Sequence, residues 1–243
     1  MSQRSPLGLR AHRNTHRQAL RQFSGSNRDK IDATKAAVAA FDSIDLPVCT
    51  FGSLACKMLG VRCHPNDVDL IVLNDDESSQ EEHKEFLVRT NRQFYLVPAR
   101  DPEATYRVLW YRTLRGSRVK VDILHPGAMS IPDFNPSLID WWGPRSSIPV
   151  APFEVVLLIK LQGWDEHRFS DEPRHFDKHY IDIEHIRRLS DLVPEDCCFN
   201  YLSDDFMRTA RECVLSFVRM FPDTKPDWRN LGFRVRARRR RRW

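Results

Sequence analysis

The hydrophobic pattern divides the chain into a strand-rich stretch and a helical last third. From Asp29 onward, Ile31, Thr34, Val38 and Phe41 recur at helical spacing. Residues 46–51 form a short apolar run stopped by Gly52-Ser53, which predicts a buried strand. Residues 54–59 suit a helix closed by Gly60, and Pro65-Asn66 marks a turn. Residues 67–73 read as the clearest strand of the chain. The acidic stretch 75–85 predicts a loop and the solvated start of a helix reaching Thr90. Three strands follow at 93–98, 106–113 and 118–124, the last two joined by Leu114-Arg115-Gly116-Ser117 as a hairpin connection. Six prolines between residues 125 and 152 predict a long irregular connector.

Beyond the connector, residues 153–164 are apolar nearly all round and predict a buried helix. Phe176, Tyr180, Ile183, Ile186 and Leu189 line one face of a second helix. Phe206, Ala210, Cys213, Val214, Phe217 and Phe221 line a third, with Ser203 placed to cap it. The sum is an α/β sheet domain followed by a helical segment.

Length and charge refine this outline. The 243 residues suit one generous domain, or one with an appended helical part. The net charge of +5 hides a split. Residues 1–30 carry seven basic side chains against Asp29 alone, and residues 234–243 carry seven arginines and no acid. The rest holds 24 basic and 32 acidic groups, a balance of −8. Basic ends on an acidic body exclude a uniformly basic nucleic-acid-binding domain. The expected organisation is a flexible arm at 1–28, a sheet domain at 29–152, a helical segment at 153–222 and a basic tail at 223–243. The arm is acid-poor and Arg- and Ser-rich like a mitochondrial presequence, and Arg21-Gln22-Phe23-Ser24 resembles a cleavage site. The arginine tail fits nuclear import or contact with RNA or another nucleic acid. A cytoplasmic location stands first, with nucleus and mitochondrion as alternatives. No apolar run approaches the roughly 20 residues of a membrane span. The six cysteines include no Cys-x-x-Cys pair and read as small buried hydrophobes in a reducing compartment.

The chemistry concentrates in two strands. In Asp67-Val68-Asp69-Leu70-Ile71-Val72, alternation projects both aspartates from one face while Val68, Leu70 and Val72 face the core. Two carboxylates so placed repel each other, and a bound Mg²⁺ relieves that repulsion through hard oxygen ligation. In Val119-Lys120-Val121-Asp122-Ile123-Leu124, Lys120 and Asp122 face away from the apolar residues. If the strands are neighbours, Asp122 completes a three-carboxylate cluster able to hold two metal ions. Gly52 lets backbone approach phosphates, and Ser53 and the following helix amides can bond them. Asp-x-Asp alone also occurs in glycosyltransferases and plain surface strands. Glycosyl transfer would leave Gly52-Ser53 and Asp122 unexplained.

This joint pattern resembles the nucleotidyltransferase superfamily that includes DNA polymerase beta. Within it, the likeness is closest to minimal nucleotidyltransferases and AbiEii-type toxins, over about residues 45–190. The resemblance implies a mixed-sheet palm, Mg²⁺ (two ions) and transfer of a nucleotidyl group from a nucleoside triphosphate to a hydroxyl of a nucleic acid, protein or small molecule. It gives Gly52 and Ser53 to the triphosphate and makes Asp67, Asp69 and Asp122 catalytic metal ligands. It extends to Lys160, Arg168, Lys178 and Asp182-Ile183, and makes Lys160 a candidate for the triphosphate and a protein partner an expectation. A structural ion pair with a carboxylate is the alternative for Lys160. Lys178 and Asp182 share a helix face, so a solvated i,i+4 pair comes first for Lys178 and a phosphate contact second. His175 and His179 are also four apart, but no third zinc ligand accompanies them. Trp141-Trp142 either anchors the connector or stacks on a base. The competing functional reading is an inactive member of this fold that binds RNA or a protein through its Arg-rich ends.

Overall fold

The computed structural model describes residues 25–73, 79–101, 103–143 and 147–235. Residues 1–24, the Asp75 end of the acidic stretch and most of the arginine tail lie outside the described residues, and with them the expectations for a presequence and a nucleic-acid-binding tail. The chain separates into two compact units. Among the described residues, the first comprises those in 25–54, 64–125 and 141–149, and the second those in 55–63, 126–140 and 150–235.

The described residues from 27 to 150 carry a seven-stranded mixed sheet. In chain order the elements are α1 (Asn27–Asp42), β1 (Val48–Phe51), α2 (Gly52–Met58), β2 (Val68–Val72), α3 (Gln80–Thr90), β3 (Phe94–Pro98), β4 (Arg107–Arg112), β5 (Arg118–Leu124), β6 (Asp140–Trp142) and β7 (Ile148–Val150). Their order across the sheet is β3-β4-β5-β2-β1-β7-β6. β1 runs antiparallel to β2, β2 parallel to β5, and β4 antiparallel to both β3 and β5. Val68, Leu70, Val119, Val121 and Ile123 are buried, so the predicted alternation holds on both central strands.

α1 begins with a capping box that also ties the helix to the sheet. The Ser26 hydroxyl accepts the Asp29 N–H at 3.2 Å, and Asp29 accepts the Ser26 N–H at 2.7 Å. Asp29 also accepts the Ser117 hydroxyl at 3.1 Å, and Gly25 N–H donates to the Arg118 carbonyl at 3.2 Å. Burial works against the Asp29 charge, yet these bonds hold its pKa below the ordinary value.

Two expectations for these residues change. The proline-rich connector contains two strands, β6 at the sheet edge and β7 between β6 and β1, and Thr50 Oγ1 donates to the Pro149 carbonyl of β7 at 2.9 Å. Pro149 has no N–H to give a ladder, and proline is rare in a strand with neighbours on both sides, which is why composition hid β7. The acidic helix start is also more than a solvated face. Glu81 holds Lys84 at 2.7 Å and Arg107 at 3.1 Å, and Glu85 holds Arg107 at 2.6 Å.

The second unit is helical: α4 (Phe153–His167), α5 (Pro173–Ser190), α6 (Asp204–Met220) and α7 (Lys225–Asn230). Val155 through Leu158, Leu161 and Trp164 of α4 are buried, and Trp164 meets Phe217 of α6 edge-on at 4.8 Å. The N-cap of α6 is Ser203, whose side chain accepts the Phe206 N–H. Glu154 is a buried carboxylate that accepts the Cys198 N–H at 2.6 Å and the Tyr201 hydroxyl at 3.1 Å, fastening residues 197–201 to α4. Cys49, Cys56, Cys63 and Cys213 are buried and unbridged, while Cys198 is exposed. No helix among the described residues is long and apolar enough to cross a membrane.

Candidate active site

The register between β2 and β5 builds the site. Asp69 stands directly opposite Asp122 across the parallel ladder, and Asp67 lies immediately before β2, two residues from Asp69. One carboxylate oxygen from each of Asp67, Asp69 and Asp122 lies within 4.8 Å of the others, with all three residues partly buried. Among the described residues this is the one group of three acidic, histidine or cysteine side chains so disposed. Three hard oxygen donors at this separation suit a hard divalent cation such as Mg²⁺.

Gly52 is held where the carboxylates need it. Phe51 pairs with Asp69, so Gly52 leaves β1 beside that carboxylate and opens α2 with φ of +65°. A Cβ built on Gly52 would fall onto Asp69 Oδ2 and lie 3.0 Å from its Cγ. Only glycine combines that left-handed backbone with the missing side chain. Its role in the structure is therefore to admit the Asp69 carboxylate, a constraint that reading it as a phosphate contact did not capture. Ser53 follows in the first turn of α2, partly buried.

Two lysines belong to these surroundings, and neither was among the expected site residues. Lys120 Nζ lies 2.6 Å from Asp122 Oδ2. Burial disfavours its ammonium, but the fields of Asp122, Asp67 and Asp69 and the bond to Asp122 prevail and raise its pKa. Lys30 of α1 is buried and donates to the Gly25 carbonyl. Burial lowers its pKa, opposed by the charges of Asp67 and Asp29. The signal for Lys120 was available in the sequence, as it shares a face with Asp122 two residues on. Lys30 carried none, because its place depends on how α1 docks.

Lys160 and Lys178 lie in the second unit. Lys160 is ion-paired with Asp182 at 3.1 Å, and Asp182 is also bound by His167 Nδ1 at 2.7 Å. Burial alone would raise the Asp182 pKa, yet the His167 bond and the Lys160 charge bring it below the ordinary value. Lys178 is exposed, and Asp182 turns inward to Lys160 rather than forming a solvated pair with it. The buried face of α5 is accordingly rotated from expectation. His179, Asp182, His185, Ile186 and Leu189 are buried, while Phe176 and Tyr180 are exposed.

His185 supplies a pH-dependent prediction. Burial, and then the Lys160 charge, pull its pKa from 6.5 to about 4, against the attraction of Asp182. The folded state thus refuses a proton that the unfolded chain accepts. The resulting stability is complete above the unfolded value near 6.5 and disappears as pH falls toward 4. The loss across that window should be roughly 3 kcal/mol. Urea midpoints measured through that window should fall for the wild type and flatten in His185→Leu. Parallel slopes for the two proteins would remove the assignment.

No protein-family model matches the chain, and no curated protein matches it. Among solved structures, an antigenic nucleotidyltransferase-like protein from Paracoccidioides brasiliensis aligns over 86% of this chain and 95% of its own, with a TM-score of 0.57 and 17% identity. The chain has the nucleotidyltransferase fold. Two further nucleotidyltransferase structures align more loosely. ANT(2'')-Ia in complex with adenylyl-2''-tobramycin aligns at a TM-score of 0.37 and 13% identity, over 64% of this chain and 90% of its own. Terminal uridylyl transferase 4 from Trypanosoma brucei with bound GTP aligns at 0.33 and 15%, over 84% and 69%. Within the nucleotidyltransferase fold of this chain, β2 and β5 carry the aspartate cluster, Asp67 at the entry to β2, and the β1–α2 junction carries Gly52-Ser53.

Proposed function

We infer that the protein is a Mg²⁺-dependent nucleotidyltransferase that moves a nucleotidyl group from a nucleoside triphosphate to a hydroxyl acceptor. The observation that carries this reading is the convergence of Asp67, Asp69 and Asp122 on paired strands, beside a glycine that the Asp69 carboxylate requires. Asp67, Asp69 and Asp122 would hold the metal, which when bound supplies charge neutralisation and Lewis-acid activation of the phosphoryl group. Ser53 and the backbone at Gly52 bind the triphosphate, and Lys160 and Lys178 are assigned to it by the family resemblance. In the transfer, the acceptor hydroxyl oxygen bonds to the α-phosphorus and its proton passes to Asp122. The bond from that phosphorus to the bridging oxygen breaks, and pyrophosphate leaves with the electron pair. The likeness to AbiEii-type toxins adds a protein partner to this reading, and residues 234–243 add a salt-sensitive contact with RNA.

The test is incubation with each labelled nucleoside triphosphate, Mg²⁺, total RNA and protein, followed by mass spectrometry of whatever becomes modified. Asp67→Ala and Asp69→Ala should stay folded and lose transfer by roughly 10³-fold. Wild-type activity in either variant would defeat the site assignment.

A further inference from the structure

The charge balance of the triad rests on the metal-site reading above and sharpens it. Four charged side chains gather at this end of the sheet: Asp69 on β2 with Asp67 just before it, and Lys120 and Asp122 on β5. The ladder sets Asp69 opposite Asp122 and Val68 opposite Val121. Asp67 immediately precedes that ladder, and its carboxylate lies within 4.8 Å of those of Asp69 and Asp122. At such separations the charges act on one another strongly. Three of the four are carboxylates. The fourth is an ammonium, bonded to Asp122 at 2.6 Å.

We propose that Lys120 is the resident counter-ion of this cluster, standing on Asp122 where a second divalent ion would bind, so that the nucleotide-free site takes one divalent ion, on Asp67 and Asp69. One oxygen of Asp122 is already committed to Lys120, and a divalent ion drawn there meets a positive charge at close range. Three carboxylates and one ammonium leave a net charge of −2, which one divalent ion offsets. The Lys120 side chain is 38% exposed, so it is free to turn from Asp122 toward an arriving phosphate. The two ions implied by the family resemblance therefore become one ion and one lysine before substrate binds.

Mn²⁺ binding to the full chain without nucleotide, followed by the electron paramagnetic resonance signal of free Mn²⁺, tests this directly. The wild type should bind one ion per chain. Lys120→Ala should bind two, with the first about tenfold tighter. Lys120→Arg should return to one. Lys120→Met keeps the aliphatic stem over the sheet and should reproduce the alanine result if Lys120→Ala does not fold. Two ions in the wild type, none, or an unchanged count and affinity without the lysine charge overturns the proposal. The measurement involves no turnover, so the two readings fail separately. The expected ion counts in a chain that transfers no nucleotide uphold Lys120 and reject the catalytic reading. Active wild-type protein that binds two ions does the reverse.

Discussion

Gly52→Ala is expected to lose at least about a hundredfold in nucleotidyl transfer while losing only about 1–3 kcal/mol of stability. Two effects meet at this position. The backbone has φ of +65°, which a Cβ disfavours, and the added methyl would coincide with Asp69 Oδ2. The carboxylate must turn away from Asp67 and Asp122, or the start of α2 must move. Either change disperses the three oxygens that now lie within 4.8 Å. Gly116→Ala separates the two effects, because Gly116 has φ of +82° and a methyl added there would meet nothing within 4 Å. It should show a comparable stability loss with activity intact. Thermal melts and kcat/KM on both variants decide the matter, and an active Gly52→Ala protein would show that Asp69 is not needed where it stands.

Asp182→Ala should destabilise the protein by about 3–5 kcal/mol, the largest stability effect expected of a single substitution here. The substitution leaves the Lys160 ammonium, whose side chain is 15% exposed, without its carboxylate and removes the acceptor of His167. Lys160→Met combined with Asp182→Ala should cost less than the two single changes together, because the pair is removed rather than broken. A urea-denaturation double-mutant cycle reads this coupling. The acid dependence has a definite sign: the folded pKa of Asp182 is lowered, so its contribution is present above the unfolded value of 3.8 and is lost as pH falls through the folded value. Additive costs would place Lys160 and Asp182 in separate environments.

What could be read in the sequence was what alternates or caps. The aspartates of β2 and β5 announced themselves because each sits beside buried aliphatic residues at period two, and the sheet preserves that period. Ser203 announced α6 because N-cap chemistry is local. The failures share a cause, since each depended on a partner distant in sequence. α5 looked apolar along Phe176 and Tyr180, yet it buries Asp182 and His185, and the Asp182 carboxylate becomes tolerable there only once Lys160 and His167 are beside it. β7 carries Pro149 and looked like loop, yet the Pro149 carbonyl receives Thr50 from a strand 99 residues away. Gly52 was recognisable as special, but the reason, an adjoining carboxylate, required the β1–β2 register.

That register has a consequence for how far such a chain can diverge. The separation between Asp69 and Asp122 is set by a backbone ladder, which any residue other than proline can maintain. Val68, Leu70, Val121 and Ile123 beneath it need only be apolar and of suitable volume. Drift in the core therefore leaves the aspartates in place, whereas one residue inserted within β2 would turn Asp69 to the opposite face. A chain built this way can share 17% of its residues with a structural relative and still fold alike. Its fold is then written in spacing more durably than in composition.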